Sequence, residues 1–252
     1  MFDLRLIRAD ALKLRRRRGL LVLCLLLTLG IEAITYTVAA IQHAGDAARH
    51  LPAGGALAFD GSMFVMTMMM LVVGAIVGAT AGAQDLESGV FRDLAATGRS
   101  RLALFGARIP GACAIVLPIA VLAVAASAIA AAALAAGLPG PDAVAIASGA
   151  AVLLTAGALS ATVSVGLAAL TGSKAPVITA MLAFTLAIAP LLSNVASLGD
   201  ARMAIPTNAL ARIGDAHIQN PHMSLGTAIV VVVAWAAAAF GAGAWRTRTR
   251  EI

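Results

Sequence analysis

Six long apolar segments constrain this chain more than any other feature of its sequence. They cover about residues 19–41, 62–83, 108–136, 144–170, 175–193 and 225–245. About 20 helical residues cross the hydrocarbon core of a bilayer, so each segment is long enough to span it. Only 12% of the residues are charged, about half the fraction of a soluble domain. The sequence therefore predicts an all-α integral membrane protein with six transmembrane helices, forming one domain over residues 1–252.

The Lys and Arg residues predict the orientation of these helices. If the N-terminus is cytoplasmic, 15 of the 18 fall on the cytoplasmic side: seven in 1–18, four in 84–108, Lys174, and three after Trp245. The remaining three are Arg49, Arg202 and Arg212. Because Lys and Arg are enriched in cytoplasmic loops, we predict a multi-pass protein of the inner (cytoplasmic) cell membrane with both termini inside. Anionic lipid headgroups account for the basic charge, so we expect no nucleic-acid partner.

The basic segment 1–18 precedes the first apolar segment. Its residues Leu4, Ile7, Ala11 and Leu14 share one helical face, which predicts a helix lying in the cytoplasmic membrane interface. The alternative is a disordered basic tail that serves only as a topology signal. The apolar stretch after Arg18 is too long for the core of a signal peptide.

Residues 84–107 form the only sizeable predicted cytoplasmic loop. The apolar residues that can share one face of a short helix there are Val90, Phe91, Leu94 and Ala95. Gly98 can end this helix, and Ser100 can cap the next one. Such a helix, with charged flanks, needs a surface to dock on; the alternative is a helical extension of the second span that contacts only headgroups.

The order of these parts resembles the type-2 ABC transporter permeases, the membrane subunits of bacterial drug and antibiotic exporters. The loop matches the pattern E-x-G-x-x-x-x-L-x-x-x-x-x-S-R through Glu87, Gly89, Leu94, Ser100 and Arg101. Gly98-Arg99 replaces the Pro that usually precedes the Ser-Arg pair. Ile-Pro-Thr-Asn-Ala at 205–209 also resembles the family's segment before its last helix, as does the basic tail after Trp245.

This resemblance implies that two permease chains pair, as a homodimer or with a related chain, and that each binds a cytoplasmic ATPase carrying ATP and Mg²⁺. The loop helix then docks on the ATPase and couples ATP binding to outward movement of an amphipathic drug, antibiotic or lipid. The implied coupling residues are Glu87, Gly89, Phe91, Arg92, Leu94, Ser100 and Arg101. Independently, the sequence lacks the phosphate-binding pattern G-x-x-x-x-G-K-[ST], since Gly172-Ser173-Lys174 has the wrong spacing. We therefore expect a permease subunit that holds no cofactor and is not itself an enzyme.

Two features inside the spans are candidates for a substrate pathway. Glu32 is the only acidic residue well inside a predicted span, and because an ionised carboxylate is costly there, it can bind a cationic substrate or a proton. Alternatively, it is a structural glutamate, protonated or paired. Met63, Met66 and Met70 share a face of the second span and suit varied apolar substrates or a soft metal, although plain packing against neighbouring helices is the better explanation.

Several further patterns leave alternatives open. Gly74, Gly78 and Gly82 predict a close helix contact, either within the chain or across a dimer. Residues 194–224 are too hydrophobic for a plain external loop and predict a short helix near 207–214. No metal site is expected, because surface roles suit the four histidines, His43, His50, His217 and His222. Buried thiols suit Cys24 and Cys113.

Two rival functions remain at this point. The first is an ion-coupled transporter that uses Glu32 as its coupling site, although the two halves of the sequence show no obvious repeat. The second is a membrane-anchoring or immunity subunit that transports nothing. Binding of an ATPase partner would favour the exporter over both of these rivals.

Overall fold

The computed structural model describes residues 4–90, 100–214 and 223–249. Six helices in these residues are long and apolar enough to cross a membrane, which confirms the predicted architecture of a multi-pass membrane protein. In chain order, spans 1 to 6 are Arg18–Gly45, Ala56–Glu87, Arg101–Ala133, Ala143–Thr171, Lys174–Asn194 and Leu225–Thr249. The described residues contain no β-strand.

Shorter elements flank the spans. An N-terminal helix covers Leu4–Arg15, and a 3₁₀ segment covers Ala196–Ala204. A short helix, Pro206–Ile213, occupies the position predicted for it; proline suits its first turn because the backbone N–H there needs no helical partner. Span 1 contains a π-helical turn at Leu26–Gly30, and span 5 contains another at Phe184–Ile188.

The predicted cytoplasmic segments gather at one end of the bundle, which we call the basic end. Lys13 of the N-terminal helix lies 3.2 Å from Asp85 at the end of span 2. Lys174, at the start of span 5, lies 3.3 Å from Glu87. The structure thus brings together three segments that the charge distribution had assigned to the same side.

At the opposite end of the bundle, the loop before span 2 is hydrogen-bonded to the end of span 3 and to the loop after it. The backbone N–H of Gly55 donates to Ala131 O at 2.8 Å, and that of Ala56 donates to Pro139 O at 3.0 Å. A side chain on the neighbouring Gly54 would overlap the backbone of span 3, because a Cβ there would lie 2.3 Å from a carbonyl carbon. Glycine is therefore required where these loops meet.

Spans 2, 3 and 4 form the core of the bundle, and spans 1, 5 and 6 surround it. In the apolar stretch of span 2, 72% of the residues are buried, against 17% in span 5 and 11% in span 6. The outer spans consequently present most of their apolar surface to the surroundings. In a bilayer that surface meets lipid or another protein chain.

Three glycines allow spans 2 and 4 to approach closely. A Cβ on Gly78 would lie 2.4 Å from Ala161 O, one on Gly74 would lie 2.8 Å from Gly157 O, and Gly82 meets span 4 in the same way. The glycine repeat thus makes a contact within the chain, one of the two possibilities that the sequence left open. Close backbone approach of this kind is how helices gain packing energy in lipid.

Between spans 5 and 6, the short helix Pro206–Ile213 packs into the bundle, whereas the 3₁₀ segment before it has no buried residue. Leu210 is fully buried, and Gly214 packs against Val152 of span 4. The indole N–H of Trp235, in span 6, donates to Ala204 O at 2.9 Å. The apolar residues that made this segment unusual for a loop are the ones that pack between spans 4, 5 and 6.

Candidate functional site

The loop after span 2 begins with a residue whose backbone conformation is easily adopted only by glycine. Span 2 stops at Glu87, and Gly89 follows with a φ of +74°. That left-handed conformation is common directly after a helix, where it turns the chain away and favours glycine. No atom of the described residues lies within 4 Å of a Cβ built on Gly89, so its positive φ is the reason that the structure gives for a glycine there.

The loop ends at Ser100, which caps span 3 as predicted. Its hydroxyl oxygen accepts a hydrogen bond from the backbone N–H of Ala103 at 3.2 Å. Arg101 is half-buried in the first turn of span 3. The predicted coupling residues Phe91, Arg92 and Leu94 lie outside the described residues, so their roles stay predictions.

Glu87 ties this loop to the turn between spans 4 and 5. Its Oε1 accepts from the backbone N–H of Lys174 at 2.8 Å and from the Ser173 hydroxyl at 3.2 Å. Its Oε2 lies 3.3 Å from Lys174 Nζ. The sequence had singled out Gly172-Ser173-Lys174 only as a failed phosphate-binding pattern; two of its residues hold Glu87.

A cluster of four charged residues joins the N-terminal helix to spans 2 and 3. Arg108, which is only 3% exposed, donates to Gly82 O at 2.7 Å and to Asp85 at 3.4 Å. Lys13 lies 3.2 Å from Asp85 and 3.4 Å from Asp10. Burial raises the pKa of Asp10, and the nearby Lys13 offsets this only in part. We did not predict this cluster; Arg108 at the edge of an apolar segment was the available signal.

Spans 2 and 3 extend into the loop predicted at 84–107, because they end and begin at Glu87 and Arg101, and leave residues 88–100 between them. The contacts described above make the base of this loop a fixed platform. Glu87 connects its first end to span 5, and Asp85 and Arg108 connect spans 2 and 3 to each other and to the N-terminal helix. A force applied to the loop therefore reaches several helices at once. Packed elements and ion-pair networks are the means by which coupling crosses a protein.

Glu32 lies in a buried polar cluster near the opposite end. Its Oε1 accepts from the Ser62 hydroxyl at 2.6 Å and also from the Ser127 hydroxyl. The two hydroxyl oxygens are 2.7 Å apart, and Tyr36 donates to Ser127 O at 3.3 Å. Glu32 is 3% exposed, and its Oε2 has no hydrogen-bond partner among the described residues. The cluster holds span 1 against spans 2 and 3.

The predicted pathway methionines pack inside the core. Met66 and Met70 are fully buried, and Met63 is nearly so. Met63 lies against Gly149 and Met70 against Gly157, both in span 4. Their contacts are those of packing residues, and their part in a substrate pathway stays a prediction.

A large apolar cavity lies between spans 2, 4, 5 and 6 and the short helix Pro206–Ile213. Its volume is about 480 Å³, within the range of sites for drug-sized molecules. Apolar side chains make most of its wall, with a few hydroxyls; representative residues are Leu71, Val163, Met181, Phe184, Thr207 and Trp235. Glu32 and the three methionines do not line it. Sequence reasoning missed this cavity, for which small residues such as Ala238 and Ala242 were the only signal.

The described residues offer no metal centre. No three His, Cys, Asp or Glu side chains converge within 4–90, 100–214 and 223–249. His43 Nδ1 lies 2.7 Å from His50 O, and Cys24 and Cys113 are both free thiols. His217 and His222 lie outside the described residues.

Comparison with known proteins adds no relative: no protein-family model matches the chain, and neither does any curated protein sequence.

Proposed function

We propose that this chain is the membrane-spanning subunit of an ATP-driven ABC exporter that moves an amphipathic molecule outward. The observation that carries the proposal is the platform under the 84–107 loop. Glu87, Asp85 and Arg108 bind the base of that loop to neighbouring helices. A loop that only connected two spans would need no such anchorage.

In this proposal the basic end faces the cytoplasm. Fifteen of the 18 Lys and Arg residues belong to segments assigned to that side, and the positive-inside rule places such segments in the cytoplasm. The N-terminal helix lies there, at the membrane interface. The ion pair of its Lys13 with Asp85 keeps it next to span 2.

Energy reaches the chain from a separate ATPase subunit. The sequence has no phosphate-binding loop, so ATP and Mg²⁺ bind to the partner. Phe91 and Leu94 are the anchors that dock on it, because a few buried apolar side chains usually dominate such contacts. Two permease chains and two ATPase subunits complete the transporter.

The cavity supports an apolar or amphipathic substrate. Its wall is mostly apolar, with Thr185 and Thr207 among its few polar residues. Spans 2 and 5 contribute to this wall and also carry Glu87 and its partner Lys174 at their basic ends. Movement of the loop relative to span 5 therefore changes the shape of the cavity.

One rival retains specific support. The buried Glu32 cluster is the kind of group that ion-coupled transporters use. A non-transporting anchor has no comparable support, because it requires neither the loop platform nor the cavity. Dependence of transport on ATP hydrolysis separates the exporter from the ion-coupled transporter.

The proposal is tested by removing the two anchors together, Phe91→Ala with Leu94→Ala. We expect a loss of about 1–3 kcal/mol at the contact, seen as weaker retention of the ATPase and less transport per ATP hydrolysed in lipid. The matched control is Leu12→Ala, which shortens an exposed leucine on the N-terminal helix. Full retention and full transport in the double variant would refute the docking assignment.

A further inference from the structure

The apolar cavity between spans 2, 4, 5 and 6 limits which molecules it can bind and how they reach it. We propose that it binds an uncharged lipid, made of a hydrocarbon chain with hydroxyl or carbonyl oxygens, which enters from the bilayer between spans 5 and 6. This inference deepens the proposed function by naming the class of substrate. It rests on that function for the claim that the bound lipid is the exported molecule.

The composition of the wall specifies the charge of the ligand. None of the described residues that line the cavity is charged. Its polar side chains are those of Ser160, Thr185, Thr207 and Trp235. Two of these are already bonded within the protein, since the Ser160 hydroxyl donates to Leu71 O at 2.5 Å and the Trp235 indole donates to Ala204 O. A phosphate or ammonium group would lose its water there without gaining a partner, so the cavity selects an uncharged molecule.

The hydroxyl groups of Thr185 and Thr207 remain to meet a ligand. Both residues line the cavity, and neither hydroxyl has a hydrogen-bond partner among the described residues. Elsewhere in the spans, the hydroxyls of Thr67 and Thr162 donate to the carbonyl oxygen one turn before them. Thr185 is only 3% exposed, and buried hydroxyls are rarely left without a partner. An uncharged oxygen on the ligand would supply that partner.

The cavity reaches the lipid-facing surface between spans 5 and 6. Its inner wall is buried, since Leu71 of span 2 and Val163 of span 4 are 5% and 7% exposed. Its outer wall is not, since Ile188 of span 5 and Trp235 of span 6 are 45% and 39% exposed. Spans 5 and 6 are also the least buried spans of the bundle. A molecule dissolved in the bilayer therefore meets this opening directly.

An aromatic pair bridges the opening. The ring centroids of Phe184 in span 5 and Trp235 in span 6 lie 5.8 Å apart, and the bond to Ala204 O holds the indole in place. Phe184 begins the π-helical turn of span 5, which also supplies Thr185 and Ile188 to the wall. Such turns are frequent at functional sites. We assign to Phe184 the movement that admits a lipid.

The shape of the cavity suits a hydrocarbon chain. Its lining residues on span 4 extend from Leu159 to Leu167, eight residues or about 12 Å along the helix. On span 6 they extend from Trp235 to Ala242, or about 10 Å. The long direction of the cavity thus follows the spans, as do the hydrocarbon chains of the surrounding bilayer. A lipid chain can enter sideways without turning.

Photolabelling of the purified full chain in phosphatidylcholine vesicles, without ATPase or ATP, tests the binding. The probe is a medium-chain monoacylglycerol with a photoreactive diazirine on its chain. We expect adducts on Val163 and none on Val152, which is similarly buried on the same span but does not line the cavity. Val233, which is exposed on span 6, should be labelled from the surrounding bilayer.

A second probe tests the selection against charge. It carries the same photoreactive chain on a trimethylammonium group. We expect it to label Val163 about tenfold less than the monoacylglycerol does, because its fixed charge has no partner in the cavity. Labelling of the exposed Val233 should be similar for the two probes, which controls for their concentration in the vesicles.

Two substitutions show whether the adducts come from the cavity. Ala242→Phe fills it and should abolish most labelling of Val163, whereas Ala237→Phe adds the same ring at an exposed position outside it and should not. Thr185→Val keeps the shape of the side chain and removes its hydroxyl, so labelling should fall about threefold. Thr162→Val is its control, because the Thr162 hydroxyl donates within its own helix.

Absence of monoacylglycerol adducts on Val163, or equal labelling of Val163 and Val152, overturns the inference. So does equal labelling of Val163 by the two probes. If Ala242→Phe does not fold, Thr185→Val and the comparison of the probes still decide. A chain that binds the monoacylglycerol but captures no ATPase would refute export and leave the lipid site standing, and the converse result would refute only the lipid site.

Discussion

The two ends of this bundle neutralise buried carboxylates in different ways. At the basic end, Asp85 lies between Lys13 and Arg108. Near the opposite end, Ser62 and Ser127 are the only hydrogen-bond donors to Glu32 among the described residues. Both arrangements hold a peripheral helix on spans 2 and 3, but only the first contains positive charge.

The difference follows from the free-energy cost of burying a charged side chain, which increases with depth in the membrane. Long basic side chains can reach water from the edge of the bilayer, so charged pairs are affordable there. Deeper in the bundle a second charge would need burial of its own, and hydroxyl groups are the less costly partners. An acidic side chain thus belongs to an ion pair at one end and to a hydroxyl cluster at the other.

The largest effect should come from removing the buried cation at the basic end. Arg108→Met leaves Asp85 and the carbonyl of Gly82 without a main donor, so we expect a loss of about 3 kcal/mol in the free energy of unfolding in lipid. Arg49→Met is the control, because the Arg49 side chain is 83% exposed beside Asp46 and should matter little. Equal stability of the two variants would show that the buried charge of Arg108 does not stabilise the basic end.

A smaller loss is expected from the hydroxyl cluster around Glu32. Ser127→Ala removes one donor to Glu32 and opens the ring of hydrogen bonds, which should lower the free energy of unfolding by about 1–3 kcal/mol. Ser148→Ala is the matched control, because in the described part of the chain that hydroxyl donates to Ala145 O of its own helix and to nothing else. A change in Ser127→Ala no larger than in the control would mean that the cluster does not hold span 1.

Glu87 should affect coupling much more than stability. Its pair with Lys174 is partly exposed, so Glu87→Gln should change the free energy of unfolding by less than about 1 kcal/mol. Transport per ATP hydrolysed should nevertheless fall, since the link between the loop and span 5 is weakened. Thermal unfolding and coupled transport assays on the same preparation separate the two effects, and unchanged coupling would exclude Glu87 from force transmission.

The smallest effect concerns the pH dependence of stability at the basic end. Burial raises the pKa of Asp10 above its usual value, so the folded protein binds this proton more tightly than the unfolded chain does. The contribution of Asp10 to stability is therefore greatest below the usual aspartate pKa and falls as the pH rises through the folded pKa. Unfolding curves of the unmodified chain and Asp10→Asn should diverge in that direction, and the opposite slope would contradict the assignment.

Much of the fold was predictable because it depends on local composition. The lengths of the apolar segments predicted the six spans. The cap of span 3 was also predictable, because Ser100 binds the backbone N–H of Ala103, only three positions away. The partner of the glycine repeat was not predictable, because Gly78 meets Ala161, which is 83 residues away. A repeat of small residues predicts a close contact but does not identify the partner.

The candidate sites were less predictable because they join distant parts of the chain. Ser62 and Ser127 are ordinary hydroxyl residues in apolar segments until packing places both beside Glu32. The cavity depends on how the external helix enters the bundle. The methionines formed a visible stripe in the sequence, yet they pack in the core and the cavity lies elsewhere.

Site-specific photo-crosslinking in native membranes tests whether the loop between spans 2 and 3 docks on an ATPase. A photoreactive residue replaces Leu94 in the loop, and a second chain carries it at the exposed Ala201 near the opposite end. We predict that position 94 crosslinks to a protein containing G-x-x-x-x-G-K-[ST] and that position 201 does not. A chain that forms no ATPase adduct at position 94, or forms one at position 201, would contradict the account.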